Sequence, residues 1–162
     1  VKTFFNNTHD PRGSSWQLNQ SLIALGGGGL TGRGLGQSVQ KFNYLPEPVG
    51  DSVFAVYAEE FGFVGTMLLL LLFMFFMLRG LRIASRAESK FGLYAATGLT
   101  LLVTISACMN IGAMIGIVPL TGLPLPFVSH GGTALLATFI AVGIILNISA
   151  HQTKRDHIST LG

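Results

Sequence analysis

Polar and apolar positions separate along this chain on the scale of whole segments. Phe61 to Leu78 contains no charged residue, and neither does Phe91 to Val118. At about 1.5 Å per residue, the second run is longer as a helix than a ~30 Å hydrocarbon core is thick. A third apolar run starts behind Pro124 and Pro126 and continues from Phe127 to Ile148, with charge returning at Lys154. The pattern predicts transmembrane helices at 51–82, 91–118 and 131–150. Between them lie a short connection, 83–90, and a broken segment, 119–130, with a loop at 1–50 and a tail at 151–162.

The first fifty residues are patterned differently. Leu18, Leu22 and Leu25 fall at i, i+4 and i+7 beside Trp16, with Gln17, Asn19, Gln20 and Ser21 between them, which suits a short helix lying in the membrane interface. Gly26 to Gly29 end it, and Gly32, Arg33, Gly34, Leu35 and Gly36 make a shaped loop. Tyr44 to Pro48 gives a stiff, extended approach, after which Gly50, Asp51 and Ser52 open the first span as a helix N-terminus does.

Composition sharpens this picture and excludes a soluble globular domain. Hydrophobic residues make up 49% of the chain and charged residues only 10%, against the roughly 25% usual in soluble domains. Ten Lys and Arg against seven Asp and Glu leave a small positive excess, concentrated at Arg79, Arg82, Arg86 and Lys90 and again at Lys154 and Arg155. Pro119 to His130 has no Lys or Arg, so the positive-inside rule assigns that connection, and residues 1–50, to the outer face. Such a distribution sets orientation and offers no basic face for nucleic acid. The chain begins at Val1 with no leader-like segment before the first span, which reads as a fragment. Its single cysteine, Cys108, lies within the second span and forms no intrachain disulfide.

Candidate chemistry gathers on the outer side. Glu59 and Glu60 lie about two turns into the first span, where a carboxylate must face protein or a wet cavity. The stretch from Thr121 to Gly132, with its prolines and glycines, breaks the backbone ahead of the third span, and Gly131 and Gly132 there are expected to take a positive φ or a close backbone approach. The glycine-rich loop matches neither nucleotide fingerprint, whereas a backbone nest with Arg33 suits a lipid pyrophosphate. Asp51, taken alone, reads as a helix N-cap. Asn110, inside the second span, reads as a hydrogen-bonding partner for a neighbouring helix.

Four blocks carry a family resemblance. They are Gln20 to Ala24 leading into Gly32 to Ser38; Gln40, Lys41 and Tyr44 to Glu47; Asp51 to Val56 with Ala58 to Gly62; and Asn110 to Gly112 with Pro119 to Gly132. In order and spacing they resemble the C-terminal third of the SEDS proteins, the FtsW/RodA/SpoVE group, and Gln37 to Lys41 looks more like the division type, FtsW, than the elongation type, RodA. The resemblance implies an all-α integral membrane protein of ten spans, of which this chain supplies the last three and the large outer loop before them. It implies a multi-pass enzyme of the bacterial cytoplasmic membrane, its site facing outside, that polymerises lipid II, an undecaprenyl-pyrophosphate-linked disaccharide peptide, into glycan strands during division. By motif position the family's essential aspartate maps to Asp51, the general base for the acceptor 4-hydroxyl, with Arg33, Glu47, Glu59, Glu60, Ser129, His130, Gly131 and Gly132 as substrate-binding positions. A class B penicillin-binding protein transpeptidase and other division proteins are the implied partners. A divalent cation, Mg or Mn, suits the leaving pyrophosphate, although no ligand set is legible. The chain departs from the family at Val49 and Gly50, where His-Thr is common, and at His130, Thr133 and Ala134, where Tyr, Ser and Ser are common. A lipid II flippase and a noncatalytic scaffold for a division transpeptidase are the rival readings.

Overall fold

The computed structural model describes residues 14–34, 53–119, 122–129 and 131–159, with side chains for all of these except 14–18, 20, 25 and 152–159. Among the described residues the chain is entirely helical: α1 (Ser14–Gly27), α2 (Val53–Ser85), α3 (Lys90–Ile115) and α4 (Gly132–Ser159). The last three are long and apolar enough to cross a membrane. Large apolar side chains such as Leu68, Leu72, Phe75, Leu102, Ile105, Leu136 and Ile140 are exposed on their outer faces, a surface suited to lipid or to further apolar helices.

Small residues let the helices approach. Leu69, Phe73, Gly80 and Ala84 of α2 are buried, as are Ala96, Thr100, Val103 and Ala107 of α3, on the faces the two helices share. At Gly80 any Cβ would collide with the Thr100 side chain, so the backbones meet more closely than a larger residue allows. Thr100 and Thr104 return their hydroxyl protons to the carbonyls of Ala96 and Thr100, at 2.7 and 2.8 Å, which leaves no bare donor in an apolar setting. α4 packs chiefly on α3, burying Thr138, Ala141 and Ile145 at i, i+3 and i+7.

Local chemistry fixes the ends of α3. Ser89, extended at φ −100° and ψ 145°, caps its start by accepting the Gly92 N–H at 2.9 Å. Gly116, left-handed at φ 84°, closes its end, and Ile117 and Val118 both donate to the Gly112 carbonyl. With α2 and α3 antiparallel across a short turn, the start of α2, the end of α3 and the start of α4 gather at one end of the bundle. There Phe54, Ala55, Ile111, Met114 and Leu125 are buried, with Ala24 of α1, in a single apolar cluster.

The helix predicted before the first span is present as α1, and of its leucine stripe only Leu22 has a described side chain, Leu18 and Leu25 lying outside the described side chains. Its buried positions are Ser21, Ala24 and Gly28 just beyond its end, whereas Leu22 and Ile23 are exposed. The Ser21 hydroxyl donates to the Met114 sulfur at 3.4 Å, and a Cβ at Gly28 would run into the Ala58 carbonyl. The helix is held against α2 and α3 by its small face. Leucine periodicity marks an apolar face, but in a membrane the protein-facing side of a helix is often the one with the smallest residues.

Candidate functional site

The largest surprise lies inside the first span. α2 leaves helical geometry at Gly62, whose φ of 66° and ψ of −163° belong to a region open essentially to glycine. In an unbroken helix Phe63 and Val64 would donate to the Glu59 and Glu60 carbonyls. Here they donate instead to Gly29 and Leu30, at 3.0 and 3.2 Å, and the two vacated carbonyls accept from Arg33 and Gly34, at 3.0 and 3.1 Å. The turn after α1 is spliced into the helix, with four bonds replacing two. Thr66 covers the Gly62 carbonyl with its hydroxyl at 2.7 Å. Unmet backbone groups at this depth would cost several kcal/mol, so the break exists because the loop completes it.

Glycine at 32 and 62 is required by contact as well as by conformation. A Cβ on Gly62 would strike the Gly32 amide nitrogen, and one on Gly32 would strike the Glu60 carbonyl oxygen. Because Gly32, Arg33 and Gly34 donate their amides to the carbonyls of Gly28, Glu59 and Glu60, these amides form no anion nest. Among the described residues this leaves the Arg33 guanidinium from the expected pyrophosphate cradle, Leu35 and Gly36 lying outside them.

Arg33 and Glu59 meet across the splice. Arg33 Nη1 donates to Glu59 Oε1 at 3.3 Å and Nε to the Gly27 carbonyl at 3.1 Å. Glu59 is buried, at 1% exposure, whereas the Arg33 side chain is 47% exposed. The buried carboxylate therefore anchors a guanidinium whose other edge faces outward. Sequence reading placed both residues among the site candidates without connecting them, since nothing in their separation marks a pair.

The broken segment before α4 packs at the same end. Asn110 of α3 donates from Nδ2 to the Leu123 carbonyl at 2.6 Å, between Gly122 at φ 65° and Pro124. Its expected role, hydrogen bonding within the bundle, is therefore observed, with a loop rather than a helix as partner. Ser129 is buried, and its hydroxyl accepts the Leu125 N–H at 2.8 Å, so it closes the turn around the buried Leu125. Phe127 takes φ 67°, uncommon for so bulky a side chain, and packs near Phe73, Phe76 and Phe139 with ring centroids 6.4, 5.9 and 6.4 Å away. Phe139 lies seven residues into α4, so the Phe127 ring packs beside the first two turns of that helix.

Gly131 and Gly132 do not take the conformation expected of them. Neither has a positive φ; Gly132 begins α4, and among the described residues added Cβ atoms would meet nothing within 4 Å at Gly132 and only Ala134 Cβ, at 3.5 Å, at Gly131. The left-handed positions lie earlier, at Gly122 and Phe127, because the two prolines force the reversal before Ser129. Open space beside the two glycines is what remains of the expectation. Asp51, Glu47 and His130 lie outside the described residues, although the chain starts α2 at Val53, two positions after Asp51. Among the described residues no group of three or more His, Cys, Asp or Glu could hold a metal ion.

A family model described as cell cycle protein, FTSW_RODA_SPOVE, matches residues 1–154. Stage V sporulation protein E of Bacillus subtilis is 47% identical over 152 residues, covering 94% of this chain and 42% of that protein. A probable peptidoglycan glycosyltransferase FtsW of Trichlorobacter lovleyi is 44% identical over 150 residues, covering 93% of this chain and 39% of the relative. A solved peptidoglycan synthase complex, described in terms of the coordination of polymerization and crosslinking, superposes with a TM-score of 0.72 at 25% identity, covering 94% of this chain and 41% of that one. The chain spans roughly two fifths of the length of the curated relatives it matches.

Proposed function

Because the chain belongs to the family of FtsW, RodA and SpoVE, we propose that the protein carrying it is a peptidoglycan glycosyltransferase that polymerises lipid II during cell division. The observation that carries this reading is the convergence at one end of the bundle. The spliced loop with Arg33, the start of α2 just after Asp51, and the broken segment 122–129 all come together there. Broken backbone of this kind is tolerated at membrane depth where it borders protein or a cavity, and a lipid-linked sugar needs such a place.

In the proposed reaction the Asp51 carboxylate takes the proton of the acceptor 4-hydroxyl as that oxygen bonds to the anomeric carbon of the growing chain. The bond from that carbon to the pyrophosphate oxygen breaks, and its electron pair leaves with the lipid pyrophosphate. Arg33 offers its outward edge to that pyrophosphate, since a planar guanidinium matches phosphate oxygens in pairs. Glu47, Glu60 and His130 stand beside the sugar, and Gly131 and Gly132 leave room for it.

This end of the bundle faces outside the cytoplasmic membrane in the proposed topology, with the 86–89 turn and the tail inside, following the basic residues. A class B penicillin-binding protein is the proposed partner, other division proteins assembling with the pair. The transport reading drew on Glu59, Glu60 and a broken helix, and of these Glu59 is engaged by Arg33.

The test is glycan-chain formation from purified lipid II by the complete protein carrying Asp51→Asn. Proton transfer by a positioned side chain typically contributes ~100- to 10,000-fold, so the variant is expected to be nearly silent while folding and binding its partner normally. Polymerisation near the parent rate would reduce Asp51 to a helix cap.

A further inference from the structure

Glu59 was expected to touch substrate, yet the geometry gives its carboxylate a different task. It is almost wholly buried, and burying a carboxylate is expensive compared with a neutral residue of the same shape. One of its oxygens holds Arg33 Nη1, and the Gly27 carbonyl holds Arg33 Nε. Fixing Nε and one terminal nitrogen fixes the plane of a rigid guanidinium, which keeps further N–H donors on a side chain that is 47% exposed. Gly27 contributes by being small, since a Cβ there would crowd Arg33 Nη2 at 3.3 Å. Backbone bonds on both sides of the pair, Arg33 N–H to the Glu59 carbonyl and Gly34 N–H to the Glu60 carbonyl, keep the two residues in register.

We propose that Glu59 is a positioning residue that acts through Arg33, holding the guanidinium plane so that its outer edge receives the diphosphate of the lipid-linked sugar. This rests on the glycosyltransferase reading above. Its energetic signature follows from the unequal exposure of the pair. Glu59→Gln leaves a half-exposed guanidinium that water can solvate and keeps a side chain of the same shape, so the fold survives while the guanidinium loses its charged anchor. Arg33→Ala takes a charge partner from a buried carboxylate and risks the fold, which makes Arg33→Lys the cleaner partner variant, keeping the charge while removing the fork.

The experiment measures kcat and KM for lipid II in the complete protein for the parent, Glu59→Gln, Glu59→Asp, Arg33→Lys and the Glu59→Gln/Arg33→Lys double variant, with Asp51→Asn alongside and thermal unfolding of each in detergent. Glu59→Gln is expected to raise KM about 10-fold or more with a smaller change in kcat, the order of effect of a displaced charge-assisted hydrogen bond. Glu59→Asp should recover part of that loss, and Glu59→Gln should add little once Arg33 is Lys. Independent, multiplying effects of the two substitutions would overturn the inference, as would a fall in kcat at constant KM or parent-like kinetics for Glu59→Gln. If the parent makes glycan, Asp51→Asn does not, and Glu59→Gln behaves as the parent, only the positioning role fails. A parent that makes no glycan overturns the glycosyltransferase reading and the inference with it.

Discussion

Gly62→Ala is the most direct perturbation of the splice. At φ 66° and ψ −163° an alanine is strained by about 1 to 3 kcal/mol. Its Cβ would also overlap the Gly32 amide nitrogen and crowd the Thr31 carbonyl carbon at 2.8 Å and the Leu30 oxygen at 2.9 Å. All three are backbone atoms, which cannot rotate aside. The relaxed outcome is a straightened α2, in which Phe63 and Val64 donate again to Glu59 and Glu60, and a displaced loop. Four interelement bonds become two intrahelical ones, a net loss of two at roughly 0.5 to 1.5 kcal/mol each. Local strain and bond loss are alternatives rather than a sum, so the expected destabilisation is about 1 to 3 kcal/mol. Differential scanning in detergent of the complete protein measures it, with Gly98→Ala and Gly143→Ala as controls. At both control sites an added Cβ meets nothing within 4 Å, and neither has a positive φ. These should be neutral or slightly stabilising, by up to ~1 kcal/mol from helix propensity. Hydrogen exchange then reports the loop: Arg33 and Gly34 amides should exchange faster in Gly62→Ala. A melting point within the spread of the two controls, with unchanged protection at those amides, would refute the splice as a stabilising join.

Asn110→Leu removes the donor to the Leu123 carbonyl and leaves that acceptor unmet, with an expected loss of about 1 to 3 kcal/mol by thermal unfolding. Gly132→Val should fold normally, because none of the described residues lies within 4 Å of its Cβ, yet lose polymerisation if substrate occupies that space; unchanged lipid II turnover would remove Gly132 from the site. Cysteines at Ser89 and Thr121 test orientation in intact cells: an impermeant maleimide is expected to label Thr121→Cys and spare Ser89→Cys, and the reverse pattern inverts the topology.

The three spans were legible because uncharged runs of that length have few other uses. The break at Gly62 was not, although Gly62 and Gly65 in an otherwise strongly helical run were the available signal. A helix interruption is readable only with its compensation, and here the compensating groups sit some thirty residues upstream in a segment that looks like a simple turn. In α1 the leucine pattern pointed to an apolar face while Ser21, Ala24 and Gly28 were the ones buried. At the other end of the chain, glycine identity at 131 and 132 suggested special backbone angles, but Pro124 and Pro126 had already moved the reversal to Gly122 and Phe127. Of the site, Arg33 and Glu59 were recognised singly, and their partnership required coordinates.

Order of synthesis gives the join at Gly62 a further meaning. The turn 28–34 is made before α2, so its carbonyls and amides are already in place when residues 59–64 leave the insertion machinery. The upstream turn thus acts as a template, and α2 can be threaded into the membrane already bent.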